Sequence, residues 1–301
     1  MTTNNKISKY SKPWIALIIA VISVSWASIL VVLSEASGLI CALWRLIFSS
    51  TLTWIILLTS KRKISINKKT LKLTFTAGLC LAIHFTLWME SLFMIPVAIS
   101  TTIVSSNPLF SSLLGFILLR EKPSIIQIIG TILAIIGISI LAGLTSQING
   151  TIGSLGVIYA LIGALTVAIY FTIGRNLRRI MDTVSYTALV YSFAAIILLV
   201  IAIINNENIL NYNLNTWSIF IALALIPMLL GHTLLNYALK FMKLITVTTI
   251  TLGEPIGATI LAKIILNQQV KIESLIAIII TLTGITLTIL REAKEKKSEK
   301  L

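Results

Sequence analysis

Long apolar stretches follow one another along almost the whole chain, and short polar connections separate them. A run of about 20 apolar residues has the length of a membrane-spanning helix. We predict spanning helices at 14–34, 38–59, 73–94, 96–119, 124–144, 154–174, 184–204, 217–239, 243–266 and 272–291. The predicted fold class is therefore an all-α polytopic membrane protein with ten transmembrane helices.

The second half of the chain repeats the first half. A shift of 148 positions takes His84 to His232, and a shift of 147 positions takes Asn107-Pro108 to Glu254-Pro255 and Gly137 to Gly284. Five helices per copy is an odd number, so the second copy enters the bilayer from the opposite face. We predict a first five-helix repeat at 1–149, a second, inverted five-helix repeat at 150–291 and a charged tail at 292–301. Inverted repeats are typical of secondary transporters.

Composition and charge place the chain in a membrane. Hydrophobic residues make up 57% of the sequence and charged residues 11%, whereas soluble domains carry about 25% charged residues. The net charge is +14, but 21 of the 24 Lys and Arg residues fall in segments that the ten-helix topology places on one face. The exceptions are Arg45, Lys263 and Lys271. Basic loops mark the cytoplasmic side, so we predict a plasma-membrane protein with cytoplasmic N- and C-termini and no nucleic-acid partner.

Several functional motifs are absent from the sequence. It contains no P-loop, no HExxH zinc motif, no GxSxG elbow and no dinucleotide fingerprint. We therefore expect no cofactor, no metal and no enzymatic activity. Small residues recur at helical spacing in the fifth helix, at Gly130, Ala134 and Gly137, which predicts close helix packing at the repeat interface or in a homodimer.

Two matching prolines interrupt the fourth and ninth helices near their midpoints. Pro108 follows Asn107, and Pro255 follows Glu254. Proline leaves a backbone carbonyl without its helical partner, and in lipid that carbonyl must find another donor or line a cavity. We predict a cavity lining at both helix breaks, with close helix packing as the alternative. On a continuous helix, Thr101, Ser105, Pro108 and Ser112 would share one face.

Glu254 and Arg45 are the ionisable residues placed deepest in the predicted helices. An acid inside a membrane is a functional candidate, and Glu254 is expected to bind a substrate ammonium or exchange a proton; the alternative is a protonated residue at the helix break. Arg45 is expected either to form an ion pair with Glu35 or Glu90, or to bind a substrate carboxylate.

The remaining candidates are uncharged or titrate near neutrality. His84 and His232 occupy matching positions and are packing residues or proton relays, and Asn236 follows His232 by one turn. Trp26 and Tyr170 either pack or stack on a substrate. The candidate substrate-binding set is thus Trp26, Arg45, His84, Ser105, Asn107, Tyr170, His232, Asn236 and Glu254.

Several segments resemble a known family. Asn236-Tyr-Ala-Leu-Lys-Phe-Met-Lys and Leu252-Gly-Glu-Pro-Ile-Gly-Ala resemble the second repeat of EamA-type permeases of the drug/metabolite transporter superfamily. Ser106-Asn-Pro-Leu-Phe, Leu119-Arg-Glu-Lys-Pro, Ser25-Trp-Ala-Ser and Trp44-Arg-Leu-Ile resemble the first repeat. The resemblance implies a central cavity and alternating access. One departure is Asn267-Gln268-Gln269, which stands where the first repeat has Glu121.

We therefore predict a secondary active transporter that exports a small metabolite, such as an amino acid or a drug-like compound, with proton exchange as a candidate driving force. The alternative is a membrane-embedded lipid-modifying enzyme or a lipid-precursor flippase. A phosphate-ester carrier would need more cavity cations than Arg45, and a channel would need a ring of like residues. The expected partners are the small-molecule substrate and membrane lipid. Substrate identity, coupling ion, direction and oligomeric state stay open.

Overall fold

The computed structural model describes residues 2–60, 66–145, 150–265 and 273–298, and every regular element within these residues is a helix. The segment Asn267-Gln268-Gln269 lies outside the described residues, as do Lys61, Arg62, Lys63 and Lys271. The first repeat comprises α1a (Thr2–Val24), α1b (Ala27–Leu33), α2 (Gly38–Thr59), α3 (Lys68–Met94), α4a (Val97–Val104), α4b (Asn107–Leu119) and α5 (Ile125–Thr145).

The second repeat follows the same plan. It comprises α6 (Gly150–Leu177), α7 (Thr183–Ile204), α8a (Leu214–Leu223), a π-helical segment (Ala224–Thr233), α8b (Leu234–Leu239), α9a (Leu244–Ile250), a 3₁₀ turn (Thr251–Gly253), α9b (Glu254–Ile265) and α10 (Glu273–Ser298). In the described residues nine helices are long and apolar enough to cross a membrane, and the apolar part of α5, Ile125–Ile140, is the shorter tenth. The predicted ten-helix fold class is confirmed.

Polar side chains fix where several helices begin. Asn67 and Thr70 form a reciprocal capping box at the start of α3, and Asp182 accepts hydrogen bonds from two backbone amides at the start of α7. Such caps satisfy amide groups that have no partner inside the helix. At the other end of a helix, Arg120 terminates α4b in the left-handed conformation with φ 55°.

The outer surface of the helices is apolar. Leu58, Ile125 and Ile204 are each more than 70% exposed, and similar side chains recur on most helices. Soluble proteins rarely expose contiguous apolar surface on this scale, whereas lipid tails solvate it. The protein is therefore a multi-pass membrane protein.

Glycine contacts between α5 and α10 show how the two repeats meet. A Cβ atom on Gly137 would lie 2.8 Å from the Ala277 carbonyl oxygen, and a Cβ atom on Gly284 would contact the Gly130 carbonyl oxygen. The 147-residue shift takes Gly130 to Ala277 and Gly137 to Gly284, so each contact is the symmetry copy of the other. A pseudo-two-fold axis therefore passes between α5 and α10, and the small residues predicted for close packing lie at an interface within the chain.

Candidate functional site

A cavity of about 30 Å³ lies at the centre of the bundle. A cavity of that size has room for a few water molecules. Both repeats contribute to its wall. Its polar lining residues are Arg45, His84, Trp88, Ser105, Asn107, His232, Thr251 and Glu254.

Both interrupted helices restart at this cavity. In the first repeat, α4b begins at Asn107 after a turn, and in the second repeat α9b begins at Glu254 after the 3₁₀ turn. Asn107 and Glu254, which match each other in the two repeats, both line the cavity. The amino end of a half-helix carries partial positive charge, and transporters use such ends inside the membrane to hold ionic groups.

The two histidines meet at the centre of the molecule. The ring centroids of His84 and His232 are 6.1 Å apart, which places the matching positions of the two repeats side by side. His84 Nδ1 donates a hydrogen bond of 2.9 Å to the Gly163 carbonyl oxygen. His232 lies in the π-helical segment that also contains Pro227, and such segments are frequent at functional sites. The cavity therefore lies where matching positions of the two repeats meet.

Arg45 is fully buried, and its side-chain nitrogens have no hydrogen-bond acceptor among the described residues. Its guanidinium carbon lies 4.1 Å from the centroid of the Phe85 ring. A buried unpaired charge is costly, and a cation–π contact offsets only part of that cost. The guanidinium can therefore bind a carboxylate that enters the cavity.

The predicted ion pair between Arg45 and Glu35 or Glu90 is wrong. Glu90 Oε1 instead accepts a hydrogen bond of 2.9 Å from the backbone amide of Leu39. Leu39 is at the beginning of α2, where free amides and the helix dipole favour a carboxylate. Arg45 lies almost two turns further along the same helix, so the carboxylate at the helix end does not reach it.

Glu254 supplies the opposite charge from the second repeat. Its side chain is partly buried and lines the same cavity as Arg45. None of the Arg45 nitrogens is hydrogen-bonded to Glu254 or to another acceptor in the described part of the chain. The cavity thus presents a guanidinium from one repeat and a carboxyl group from the other, and no direct hydrogen bond joins them.

Four more lining residues carry buried polar atoms that have no hydrogen-bond partner in the part of the chain that the structure describes. These atoms are Trp88 Nε1, Ser105 Oγ, Asn107 Oδ1 and His232 Nδ1. Most buried polar atoms in folded proteins have a hydrogen-bond partner, so their concentration around one small cavity is informative. Together with Arg45 they form a site with donors and acceptors for a polar ligand.

Three of the candidate residues lie next to this cavity and do not line it. Asn236 Nδ2 donates hydrogen bonds to Tyr170 Oη at 2.5 Å and to the His232 carbonyl at 2.7 Å, so Asn236 and Tyr170 support His232. Trp26 was expected at the site, but Val24 and Ala27 line the cavity. Trp26 lies in the break between α1a and α1b.

Trp88 and Phe171 line the cavity and are not in the candidate set from the sequence. Trp88 stacks on His84 with ring centroids 5.8 Å apart, and Phe171 stacks on His232 at 5.9 Å. The signal for Trp88 was present: it follows His84 by four residues, as Asn236 follows His232. No comparable pattern marked Phe171.

Carboxylates from both repeats hold the start of α9a at one end of the bundle. Glu121 Oε1 accepts from Arg175 Nε at 2.6 Å, and Glu121 Oε2 accepts from the Leu244 amide at 2.9 Å. Glu292 Oε1 accepts from the Lys243 amide at 3.2 Å. We call Glu121, Arg175 and Glu292 the latch. It joins α4b, α6, α9a and α10 on the face that carries most of the basic residues.

The opposite face is also tied together. Ser37 Oγ donates to Glu207 Oε2 at 3.2 Å, and Trp44 Nε1 donates to the Ile209 carbonyl at 2.9 Å. The connection between α7 and α8a is therefore fastened to α2. Hydrogen bonds therefore tie the helices together on both sides of the central cavity.

The sequence profile of the EamA-like transporter family matches residues 13–143 and again residues 154–290. The chain belongs to the EamA-like transporter family. The two matches cover most of both halves of this EamA-like protein, and the predicted family resemblance is confirmed.

A curated relative and a solved structure agree with this assignment. An uncharacterized transporter of Clostridium kluyveri is 24% identical over 200 residues, which are 65% of this EamA-like chain and 63% of that protein. A crystal structure aligns over 94% of this chain and 98% of its own chain with a TM-score of 0.76 and 16% identity, a likeness that shows the fold alone. The family and the relative point to a membrane transporter rather than an enzyme.

Proposed function

We propose that this EamA-like protein is a secondary active transporter that exports a zwitterionic small metabolite of the amino-acid type by alternating access. We further propose that it lies in the cell membrane with both termini in the cytoplasm, as the distribution of basic residues predicts. One observation carries the substrate class. An unpaired guanidinium from the first repeat and a carboxylate from the second repeat line the same central cavity.

The placement of the two charges on different repeats supports alternating access. A zwitterion that contacts both Arg45 and Glu254 joins the two repeats. In a form open to either side of the membrane, part of the cavity wall formed by the two repeats has moved apart. A ligand shifts a conformational equilibrium only through its different affinity for the two states. A zwitterion that contacts both charges therefore binds more tightly to the state in which Arg45 and Glu254 are close together. A molecule with one charge contacts only one of them and distinguishes the two states less.

Glu254 also offers a route for proton exchange. A protonated carboxyl group is neutral and loses its attraction for a substrate ammonium. Proton and substrate therefore compete for one group, and this competition couples their movements in opposite directions. On this proposal, a proton entering from outside displaces the exported substrate.

A matched ligand series tests the substrate class. Purified protein in lipid nanodiscs is screened for thermal stabilisation by amino acids, and the best ligand is compared with its decarboxylated amine and its deaminated acid. For leucine these are isopentylamine and 4-methylpentanoate. We expect stabilisation by the zwitterion and little by either single-charge analogue. Equal stabilisation by the amine or the acid would contradict the proposal, and stabilisation only by lipid precursors would favour the flippase.

Proton coupling is tested by replacing Glu254 with Gln, which keeps the size of the side chain and removes its titration. We expect E254Q proteoliposomes to lose substrate flux driven by a pH gradient while the variant inserts normally. The matched control is Glu90→Gln, which alters an acid that caps α2 outside the cavity and retains pH-driven flux. Unchanged pH-driven flux in E254Q would remove Glu254 from coupling.

Opening towards the basic face requires the latch to separate. Replacing Glu121 with Gln removes the charge that pairs with Arg175, so we expect this face to open more often. Maleimide labelling of a cysteine placed at Leu235, which lines the cavity, should then become severalfold faster. The control is Glu295→Gln, because Glu295 pairs with more exposed partners, and such pairs contribute little. Equal labelling in E121Q and the parent would exclude a gating role.

A further inference from the structure

A second, larger cavity opens on the side of the bundle. It is a cleft of about 500 Å³ between α4b and α5, with α9a at its floor. Its walls include Leu113 and Phe116 from α4b, Ile128 and Ile132 from α5, and Ile245 from α9a. Ligand pockets have volumes of about 300–1,000 Å³, so this cleft is large enough for a substantial apolar group.

The cleft exists because two consecutive helices pack against different neighbours. α5 packs against α10 through Gly130 and Gly137. α4b instead approaches α9a, where a Cβ atom on Gly115 would lie 3.4 Å from Leu244 Cδ2. The left-handed Arg120 and the following short turn therefore connect helices that diverge, and a gap remains between them.

The cleft is apolar inside and basic at its mouth. Leu113 and Phe116 are more than half exposed, and Ile132 is 46% exposed, so in a spanning protein these side chains meet lipid tails. Lys122 lines the mouth and is exposed. Within the described residues, no ion pair to Lys122 is present; the neighbouring Lys243, by contrast, pairs with Glu295 at 2.5 Å. Lys122 lies in the connection after α4b, and a Lys side chain at the end of a spanning helix can reach lipid phosphates.

We propose that this cleft is a binding site for an acyl chain of an anionic phospholipid whose phosphate pairs with Lys122. The apolar walls on three helices accept the chain, and the free ammonium selects a headgroup with net negative charge. The site is independent of the transported substrate. The cleft adjoins the central cavity, because Pro108 lines the cleft and the adjacent Asn107 lines the cavity. A bound acyl chain therefore contacts the break in the fourth helix on the side that faces the cleft.

The test uses phosphatidylglycerol, phosphatidylcholine with identical chains, and soluble glycerophosphoglycerol. Each is added to the detergent-purified full chain while thermal unfolding is followed. We expect phosphatidylglycerol to stabilise at a severalfold lower concentration than phosphatidylcholine, and the soluble headgroup to have no effect because it has no chain. Equal potency of the two lipids, or stabilisation by the headgroup alone, would overturn the proposal.

Two variants locate the effect. Lys122→Gln should reduce the potency of phosphatidylglycerol to that of phosphatidylcholine, while Lys69→Gln, also an exposed basic position, should leave the preference unchanged. Ser112→Phe, which fills the cleft, should abolish stabilisation by both lipids, whereas Ser139→Phe on the exposed surface of α5 should not. A full phosphatidylglycerol preference in K122Q would show that the lipid binds elsewhere, even if S112F fails to fold.

Discussion

Replacing Arg45 with glutamine is expected to stabilise the protein in the absence of substrate and to abolish its recognition of a substrate carboxylate. The Arg45 guanidinium is fully buried and has no hydrogen-bond acceptor among the residues that the structure describes. A buried charge without a hydrogen-bonded partner lowers the free energy of unfolding, so its removal is favourable while no substrate carboxylate is bound. The same substitution removes the guanidinium that lines the central cavity. Stability and binding therefore change in opposite directions.

The size of the binding effect follows from the loss of one partner of a buried charge pair. Such losses reduce binding free energy by about 2–5 kcal/mol, and about 1.4 kcal/mol corresponds to a tenfold change in affinity. We expect R45Q to bind the zwitterion at least about thirtyfold more weakly and to lose its preference over the decarboxylated amine. Calorimetry or ligand-induced thermal shifts in nanodiscs measure both effects.

Arg178 provides the matched control, because it is also buried but fully partnered. It donates hydrogen bonds to the Met181 carbonyl, to the Asn236 carbonyl at 3.2 Å and to Thr183 Oγ1 at 2.6 Å. Burial lowers the pKa of Arg178 to about 10, although the nearby Asp182 opposes this, so the side chain stays charged at neutral pH. Arg178→Gln should therefore lower the melting temperature and retain the zwitterion preference. A fall in stability in R45Q like that in R178Q would show that Arg45 is structural.

The spanning helices and the inverted repeat were predictable because they depend on features that persist over long stretches. Apolar length decides which segments span the bilayer, and the described residues contain nine helices of that length and the shorter apolar helix Ile125–Ile140. Matching residues keep an offset of 148 at His84 and His232 and of 147 at Asn107 and Glu254, so the alignment of the repeats required no knowledge of contacts. The position of both helix breaks followed from proline chemistry alone.

The site was harder to predict because it depends on how helices turn and cross. Ser105, Pro108 and Ser112 share a face only on a continuous helix; the turn before α4b places Ser105 at the central cavity and the other two at the lateral cleft. The same reasoning applies to Trp26, which stands at the break between α1a and α1b. The contact between Arg45 and Phe85 joins two helices, and nothing in the local sequence of either helix specifies it.

The crossing of α5 and α10 is a position where one methyl group should disrupt the packing. A Cβ atom on Gly284 would lie 2.5 Å from the Ala134 amide nitrogen and 2.8 Å from its Cβ, as well as contacting the Gly130 carbonyl oxygen. Two of these three atoms belong to the backbone, which cannot rotate away as a flexible side chain can. Gly284→Ala should therefore force the helices apart, and overpacking of this kind costs about 1–3 kcal/mol.

Whether a glycine-to-alanine substitution lowers or raises stability distinguishes close packing from helix propensity. Alanine is favoured over glycine inside a helix by about 1 kcal/mol, so a glycine without close neighbours should gain stability on this substitution. Gly115 provides that comparison, since its nearest neighbour would be Leu244 Cδ2 at 3.4 Å, the end of a side chain that can move. We expect thermal unfolding in detergent to show G284A below the parent and G115A at or above it. The same gain in both variants would mean that α5 and α10 separate at no cost, and the pseudo-two-fold contact would then not hold the repeats together.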